Sequence, residues 1–209
     1  MVRPILRARK GGNMRVIAGE YRGRTLKAPK GELTRPTTDR VKESLMSSIG
    51  SHFGGFDGLM VLDAFAGSGA LGIECLSRGA RGCHFFERDR GALEALGANV
   101  STLRIDPNRA RVFRTDVLKA PFLAGGVGYD LVMLDPPYAL DPIEVVGLIE
   151  RLTRGGRIAS GCLITYEHAR ATDLSDVLAQ VNGSLDIIAS KTYGKIAIDF
   201  LTIRGEQDG

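Results

Sequence analysis

From residue 59 onward, the sequence alternates between short apolar segments and segments in which apolar residues have helical spacing. Continuous apolar strands separated by helices are typical of a mostly parallel sheet covered on both faces. The predicted strands are 59–63, 82–87, 110–113, 129–134, 161–166, 185–190 and 196–203, and the predicted helices are 69–77, 91–102 and 142–152. Only a short turn separates the last two strands, which favours a hairpin and an antiparallel edge strand. The pattern predicts an α/β fold with a seven-stranded, mostly parallel sheet.

The size and composition suit one enzyme-sized domain. The chain has 209 residues, of which 44% are hydrophobic. No apolar run approaches the roughly 18 residues that a membrane span needs, and the charged first ten residues lack the apolar block of a signal peptide. We therefore expect a cytoplasmic protein. Three cysteines without CxxC spacing and three scattered histidines favour reduced, structural thiols and no metal site.

Positive charge is concentrated in the first part of the chain. Residues 1–50 contain twelve Lys and Arg against four Asp and Glu, a net charge of +8, whereas the other 159 residues have a net charge of −4. This distribution is typical of an arm that docks on a polyanion, because each phosphate contact releases condensed counterions. The alternative is a basic surface that only keeps the protein soluble.

The first part of the chain divides into three predicted segments. Residues 1–13 contain little that can pack and are predicted to be a disordered basic extension. Residues 14–36 are predicted to form a β-hairpin with Arg22 and Arg24 on a basic face, followed by a linker. A helix over 37–49, with Thr37 or Thr38 as its N-cap, begins the main domain 37–209.

A glycine-rich loop follows the first predicted strand. Gly67, Gly69 and Gly72 fit the pattern G-x-G-x-x-G, which lets the backbone turn sharply and lets a ligand approach a helix N-terminus. Glu87 follows Gly67 by twenty residues and ends the second strand, where it can accept hydrogen bonds from ribose hydroxyls. These features suit NAD as well as S-adenosylmethionine.

Two aspartates favour S-adenosylmethionine. Asp63 directly precedes the glycine loop, where a carboxylate would repel a pyrophosphate but attract an ammonium group. Asp116 ends the third strand and can reach an adenine amino group in the same crevice. The alternatives for Asp116 are an ordinary loop residue or a helix cap.

The tetrapeptide Asp135-Pro136-Pro137-Tyr138 follows the apolar strand 129–134 and so lies at the carboxyl edge of the sheet. An exocyclic amine on a base is a poor nucleophile, because its lone pair is delocalised into the ring. The carboxylate of Asp135 and the carbonyl of Pro136 can each accept one amine hydrogen and favour a pyramidal nitrogen. Tyr138 can stack on the base, which must then be unpaired or flipped out. The tetrapeptide predicts methyl transfer to such an amine.

At this point the sequence closely resembles the RsmD family of bacterial 16S ribosomal RNA guanine-N2 methyltransferases. The resemblance spans residues 14 to about 204 and includes MRVIAG at 14–19, GRTL at 23–26 and the family-specific RPTTDRVKESL at 35–45. It implies a Rossmann-like class I methyltransferase fold with an N-terminal β-hairpin that assists RNA docking. It also implies S-adenosylmethionine as cofactor and a guanine of 16S ribosomal RNA, within a 30S particle, as substrate. It does not explain residues 1–13.

We expect the protein to be a monomer. The resemblance also implies roles for individual residues. The expected catalytic residues are Asp135, Pro136 and Tyr138. The expected cofactor-binding residues are Asp63, Phe65, Ala66, Gly67, Gly69, Glu87, Arg88, Asp116 and Thr37. The expected substrate-binding residues are Arg22, Arg24, Arg35 and Pro137. For Arg35 and Thr37, a structural role at the surface or as a helix cap is an equal alternative.

Three other functions are compatible with parts of the pattern. An adenine-N6 methyltransferase acting on DNA or RNA would use the same tetrapeptide. An NAD-dependent oxidoreductase would use the glycine loop but is disfavoured by Asp63. A non-catalytic RNA-binding assembly factor would keep the fold without the chemistry.

Overall fold

A computed structural model describes residues 14–29, 39–121, 126–181 and 185–205. The helices in this part of the chain are α1 (Asp39–Phe53), α2 (Ala70–Ser77), α3 (Arg90–Leu103), α4 (Pro142–Arg154) and α5 (Leu174–Gln180), with a 3-10 turn at Val117–Lys119. The strands are β1 (Met60–Asp63), β2 (Gly82–Glu87), β3 (Ala110–Arg114), β4 (Tyr129–Leu134), β5 (Ile158–Ala169), β6 (Leu185–Tyr193) and β7 (Ile196–Ile203). Predicted segments 1–13 and 30–38, with Arg35, Thr37 and Thr38, lie outside the described residues.

The strands form one sheet in the order β3-β2-β1-β4-β5-β7-β6. Strands β1 to β5 pair in parallel. Strands β2 and β3 lie on one side of β1, and β4 and β5 lie on its other side, so the strand order reverses between β1 and β4. The predicted seven-stranded, mostly parallel sheet is confirmed, as is the antiparallel pairing of the last two strands. The strand that runs against the others is β7, which also pairs with β5 and so lies one position in from the edge.

The sheet separates two apolar cores. The strands β1, β2 and β4 are almost completely buried on both faces, as the continuous runs predict. One face is covered by α1, α2 and α3, and the other by α4 and α5. Helix α5 is absent from the prediction. All three cysteines are buried in these layers without a disulfide, and no helix in the described part of the chain is both long and apolar enough to cross a membrane.

Residues 14–29 form an arm that packs on the α1–α3 side of the sheet. The predicted antiparallel turn is present, but only one bridge, between Arg15 and Thr25, replaces the two regular strands. Val16, Tyr21 and Leu26 are buried in the core of the domain. The amides of Ile17 and Ala18 donate to the carboxylate of Glu74 in α2, at 2.8 and 3.0 Å. Because a helix side chain accepts the hydrogen bonds of these backbone amides, the amides are not available for a regular hairpin ladder.

The fully buried Glu74 joins three parts of the chain. Besides the two amides of the arm, its carboxylate contacts the ammonium group of Lys42 in α1 at 3.5 Å and the guanidinium of Arg78 at 2.9 Å. Lys42 also donates to the carbonyl of Arg15. A buried carboxylate with four donors is a fully partnered charge, so Glu74 holds the arm, α1 and α2 together.

Candidate active site

Four carboxylates lie at the carboxyl edge of the sheet, on the side covered by α1 to α3. Asp63 ends β1, Glu87 ends β2, and Asp135 directly follows β4. The fourth is Glu167 in β5, which the sequence analysis missed. Successive side chains of a strand alternate between faces. Val61, Phe85 and Met133, each two positions before one of the first three, belong to the core under these helices.

Asp63 is buried and supports the start of α2. Its Oδ2 accepts a hydrogen bond of 3.0 Å from the amide of Gly72, in the first turn of a helix whose N-cap, Gly69, offers no side-chain acceptor. Burial raises the pKa of Asp63 to about 7, with further contributions from Asp135 and Glu87. The carboxylates of the site are therefore close enough to influence one another.

The glycines allow a close approach of α2 to the sheet. Gly69 has a φ of +81°, and a Cβ built there would lie 2.3 Å from Cδ1 of Leu96. A Cβ at Gly72 would lie 2.4 Å from Cε1 of Phe85. A Cβ at Gly67, in contrast, would meet no atom within 4 Å. Gly69 and Gly72 are thus required for packing, whereas Gly67 borders open space above the loop.

Glu87 connects the glycine loop with the loop after β2. Its Oε2 accepts from the amide of Gly67, and its Oε1 accepts from the amides of Arg88 and Asp89, each at 2.7 Å. Each carboxylate oxygen has two acceptor positions. The amides therefore fill both positions of Oε1 and leave one acceptor position on Oε2.

Asp116 and Arg88 contact each other beside this loop. The guanidinium of Arg88 lies 2.8 Å from Oδ2 of Asp116, and Oδ1 of Asp116 accepts from the amide of Leu118 at the start of the 3-10 turn. The helix-cap alternative for Asp116 is therefore present in the structure. Ala66 is buried and Phe65 is half-buried between β1 and the glycines.

The tetrapeptide combines buried acceptors with an exposed ring. Pro136 is buried, Asp135 is half-buried and Pro137 is exposed, while Tyr138 is 61% exposed. The hydroxyl of Tyr138 lies 3.5 Å from Oε1 of Glu167. Burial raises the pKa of Asp135 to about 6. Burial, and then the proximity of Asp135, raise the pKa of Glu167 to about 8.

The arm lies along the C-terminal half of α3, next to the glycine loop. The side-chain amide of Asn99 donates to the carbonyls of Lys27 and Ser68, at 3.0 and 2.9 Å. About one helical turn further along α3, Arg24 contacts the carbonyl of Thr102 at 3.5 Å. Asn99 therefore joins the arm to the glycine loop.

No group of three or more metal-ligating side chains occurs in the described ranges of the chain. The crevice instead offers carboxylates, backbone amides and the carbonyl of a proline at one edge of a doubly wound sheet, where ligands of such folds bind. The fold is that of a Rossmann-like class I methyltransferase.

The model of the family described as "Conserved hypothetical protein 95" matches residues 14–202. The chain is 38% identical to "Putative rRNA methyltransferase YlbH" of Bacillus subtilis, over 92% of this chain and 100% of that one. It is 35% identical to "Ribosomal RNA small subunit methyltransferase D" of Escherichia coli, over 89% and 88% of the two chains. The solved structure of "Putative methyltransferase yhhF" from Escherichia coli matches with a TM-score of 0.75 and 33% identity, over 92% and 99% of the two chains. The chain belongs to this family, and the resemblance to the RsmD methyltransferases is confirmed.

Proposed function

We propose that this protein transfers a methyl group from S-adenosylmethionine to the exocyclic N2 amine of a guanine in 16S ribosomal RNA. The observation that carries the proposal is the position of Asp135 and Pro136. They follow the strand next to β1, at the edge where Asp63 and Glu87 line the glycine loop. Acceptors for an amine and a crevice for a cofactor thus lie side by side. The relatives named as methyltransferases of ribosomal RNA support the choice of substrate.

The residues of the crevice fit this cofactor. Oε2 of Glu87 retains an acceptor position for a ribose hydroxyl, and Gly67 leaves room for a ligand next to its backbone. Asp63 favours a cationic ligand and disfavours the pyrophosphate of NAD. Phe65, Ala66, Gly69, Arg88 and Asp116 complete the proposed pocket, and Thr37 is proposed as a further contact. S-adenosylmethionine supplies a methyl group activated by a positively charged sulfur.

The chemical task of the protein is to hold an amine in a reactive geometry. The carboxylate of Asp135 and the carbonyl of Pro136 each accept one hydrogen of the N2 amine, so that its lone pair is free to point at the methyl group. The exposed ring of Tyr138 stacks on the base, which must leave its helix to reach the site. The nitrogen would lose one proton on accepting the methyl group, and Asp135, which accepts a hydrogen bond from the amine, would receive that proton.

RNA binding is proposed for the positively charged residues outside the crevice. In this proposal residues 14–36 form the docking segment, through Arg22, Arg24 and Arg35, and residues 37–209 form the methyltransferase domain. Pro137 contacts RNA beside the tetrapeptide. Arg24 is exposed near the end of α3, where it contacts RNA phosphates outside the base-binding site. The substrate is a partly assembled 30S particle, and the protein acts in the cytoplasm as a monomer.

The test is transfer of labelled methyl from S-adenosylmethionine to 30S particles that lack guanine-N2 methylation, followed by digestion to nucleosides. Labelled N2-methylguanosine is the expected product. N6-methyladenosine would preserve the amine chemistry but refute the choice of base. Cofactor binding without any labelled nucleoside would refute the proposed substrate.

A further inference from the structure

Glu167 lies beside the proposed catalytic Asp135. Leu134 and Tyr166 are register partners on β4 and β5, so the residues that follow them, Asp135 directly after β4 and Glu167 within β5, lie side by side. Neighbouring strands are about 4.8 Å apart. Glu167 is 7% exposed, and its Oε1 lies 3.5 Å from the hydroxyl of Tyr138. The carboxyl group therefore lies within the proposed base-binding site.

Two carboxyl groups in this position share a proton. Like charges in a buried pair cannot both ionise readily, so the partner with the higher pKa keeps the proton. That partner is Glu167, because burial and the adjacent Asp135 both raise its pKa. The neighbours that affect its pKa are Asp135, which raises it, and Tyr138 and His168, which lower it. Its partner on β7 is the apolar Ile198. The net result is a pKa of about 8 for Glu167, so that a neutral carboxyl group with a hydrogen-bond donor lies next to the acceptor Asp135.

A donor next to an acceptor matches one feature of nucleic-acid bases. Every base with an exocyclic amine has a ring nitrogen acceptor bonded to the same carbon: N3 beside N2 of guanine, N1 beside N6 of adenine and N3 beside N4 of cytosine. Uracil has the opposite pattern, with a ring N–H between two carbonyls. A protonated carboxyl group that donates to its ligand is known from other enzyme sites.

We propose that Glu167 donates a hydrogen bond to the ring nitrogen beside the target amine, while Asp135 accepts a hydrogen of that amine. The proposal rests on the proposed function and adds to it a base-reading residue. For guanine, the hydrogen bond of Glu167 goes to N3. Together the two residues read the N=C–NH2 group, and Tyr138 keeps the base in the plane that both can reach.

The proposal predicts a pH effect that distinguishes Glu167 from a structural residue. We expect the KM of the wild-type protein for 30S particles to rise above about pH 8, because the ionised carboxylate of Glu167 repels the ring nitrogen. E167Q keeps a donor at every pH, so its KM should stay level between pH 7 and 9.5 while its activity is reduced about threefold. E167A should have a KM about tenfold above the wild-type value at pH 7, the equivalent of one lost hydrogen bond, and this KM should not change between pH 7 and 9.5. E94Q, at an exposed glutamate of α3, is the matched control and should follow the wild-type profile.

A second measurement does not depend on methyl transfer. The side-chain carboxyl carbon of Glu167, followed by carbon NMR in the protein without RNA, should titrate near pH 8, and this signal should be missing in E167Q. A Glu167 that is ionised at pH 6.5, or an E167Q variant that keeps the alkaline rise in KM, would overturn the proposal even if N2-methylguanosine is the product. A product other than N2-methylguanosine, combined with the expected profiles, would refute the proposed function and leave the role of Glu167 in place.

Discussion

The carboxylate of Glu74 lies 3.5 Å from the ammonium group of Lys42, and both side chains are almost completely buried. Burial lowers the pKa of Lys42, and Glu74 opposes this effect. Such a pair contributes little beyond an apolar contact of the same size, but the loss of one partner leaves a buried charge without compensation.

E74Q should therefore lower the free energy of unfolding by about 3 kcal/mol or more. The reason is that Lys42 and Arg78 lose their counter-charge, and the two amides of the arm lose part of their acceptor. Urea denaturation at constant pH measures the change. E94Q is the control, because it breaks an exposed pair with Arg90 and should cost less than about 1 kcal/mol. Equal losses in the two variants would contradict the role of Glu74.

D135A should lower kcat by about 100-fold or more, since the amine loses an acceptor that orients it in the transition state. The dissociation constant for S-adenosylmethionine should stay within about threefold of the wild-type value, because the proposed contact of Asp135 is with the base and not with the cofactor. D135N keeps one acceptor oxygen and should retain more activity than D135A. Single-turnover methyl transfer and calorimetric titration separate the two quantities. Wild-type turnover by D135A would show that Asp135 does not orient the amine.

E87A and E87Q should both weaken binding of S-adenosylmethionine by about tenfold or more. Three backbone amides donate to the Glu87 carboxylate. The amide nitrogen of a glutamine cannot accept from them, so E87Q disturbs the same loops as E87A. Calorimetric titration with the cofactor measures the effect, with E20Q on the arm as the control. Unchanged affinity in both variants would remove Glu87 from the cofactor site.

The double variant R22Q/R24Q should weaken RNA binding and reduce the slope of log affinity against log salt by about 1 to 2. Both residues are exposed on the arm, and each phosphate contact releases counterions. The control R154Q/R204Q removes two exposed positive charges elsewhere on the surface and should leave the slope unchanged. The same slope in both double variants would exclude the arm from RNA docking.

The sequence predicts the parallel sheet well, because β1, β2 and β4 are short, mostly apolar runs that are buried on both faces of a sheet. It does not predict α5, which has seven residues and only two buried side chains, Leu174 and Val177. Such a short helix depends on packing against α4 and on the cap from Asp173. The insertion of β7 between β5 and β6 likewise depends on tertiary contacts.

Sequence analysis finds the candidate carboxylates where the predicted strand ends are correct. Asp63 and Glu87 stand at the last positions of their strands, and Asp135 follows its strand within a recognisable tetrapeptide. Glu167 was missed because β5 was predicted to end at residue 166, whereas it continues to residue 169. The alternation of Leu163, Thr165 and Glu167 on one face was the available signal. The role of Glu74 could not be found in this way, because its partners in the arm are 56 and 57 residues away in the chain.

The attachment of the arm has a consequence for the order of events during protein synthesis. Residues 14–29 leave the ribosome before the residues of α2 and α3 that hold them, including Glu74, Ser77 and Asn99. Until those helices exist, the amides of Ile17, Tyr21 and Lys27 have no partners other than water. The arm can therefore dock on the domain only after residues some 50 to 70 positions later in the chain have been synthesised. This docking also follows the synthesis of the glycine loop.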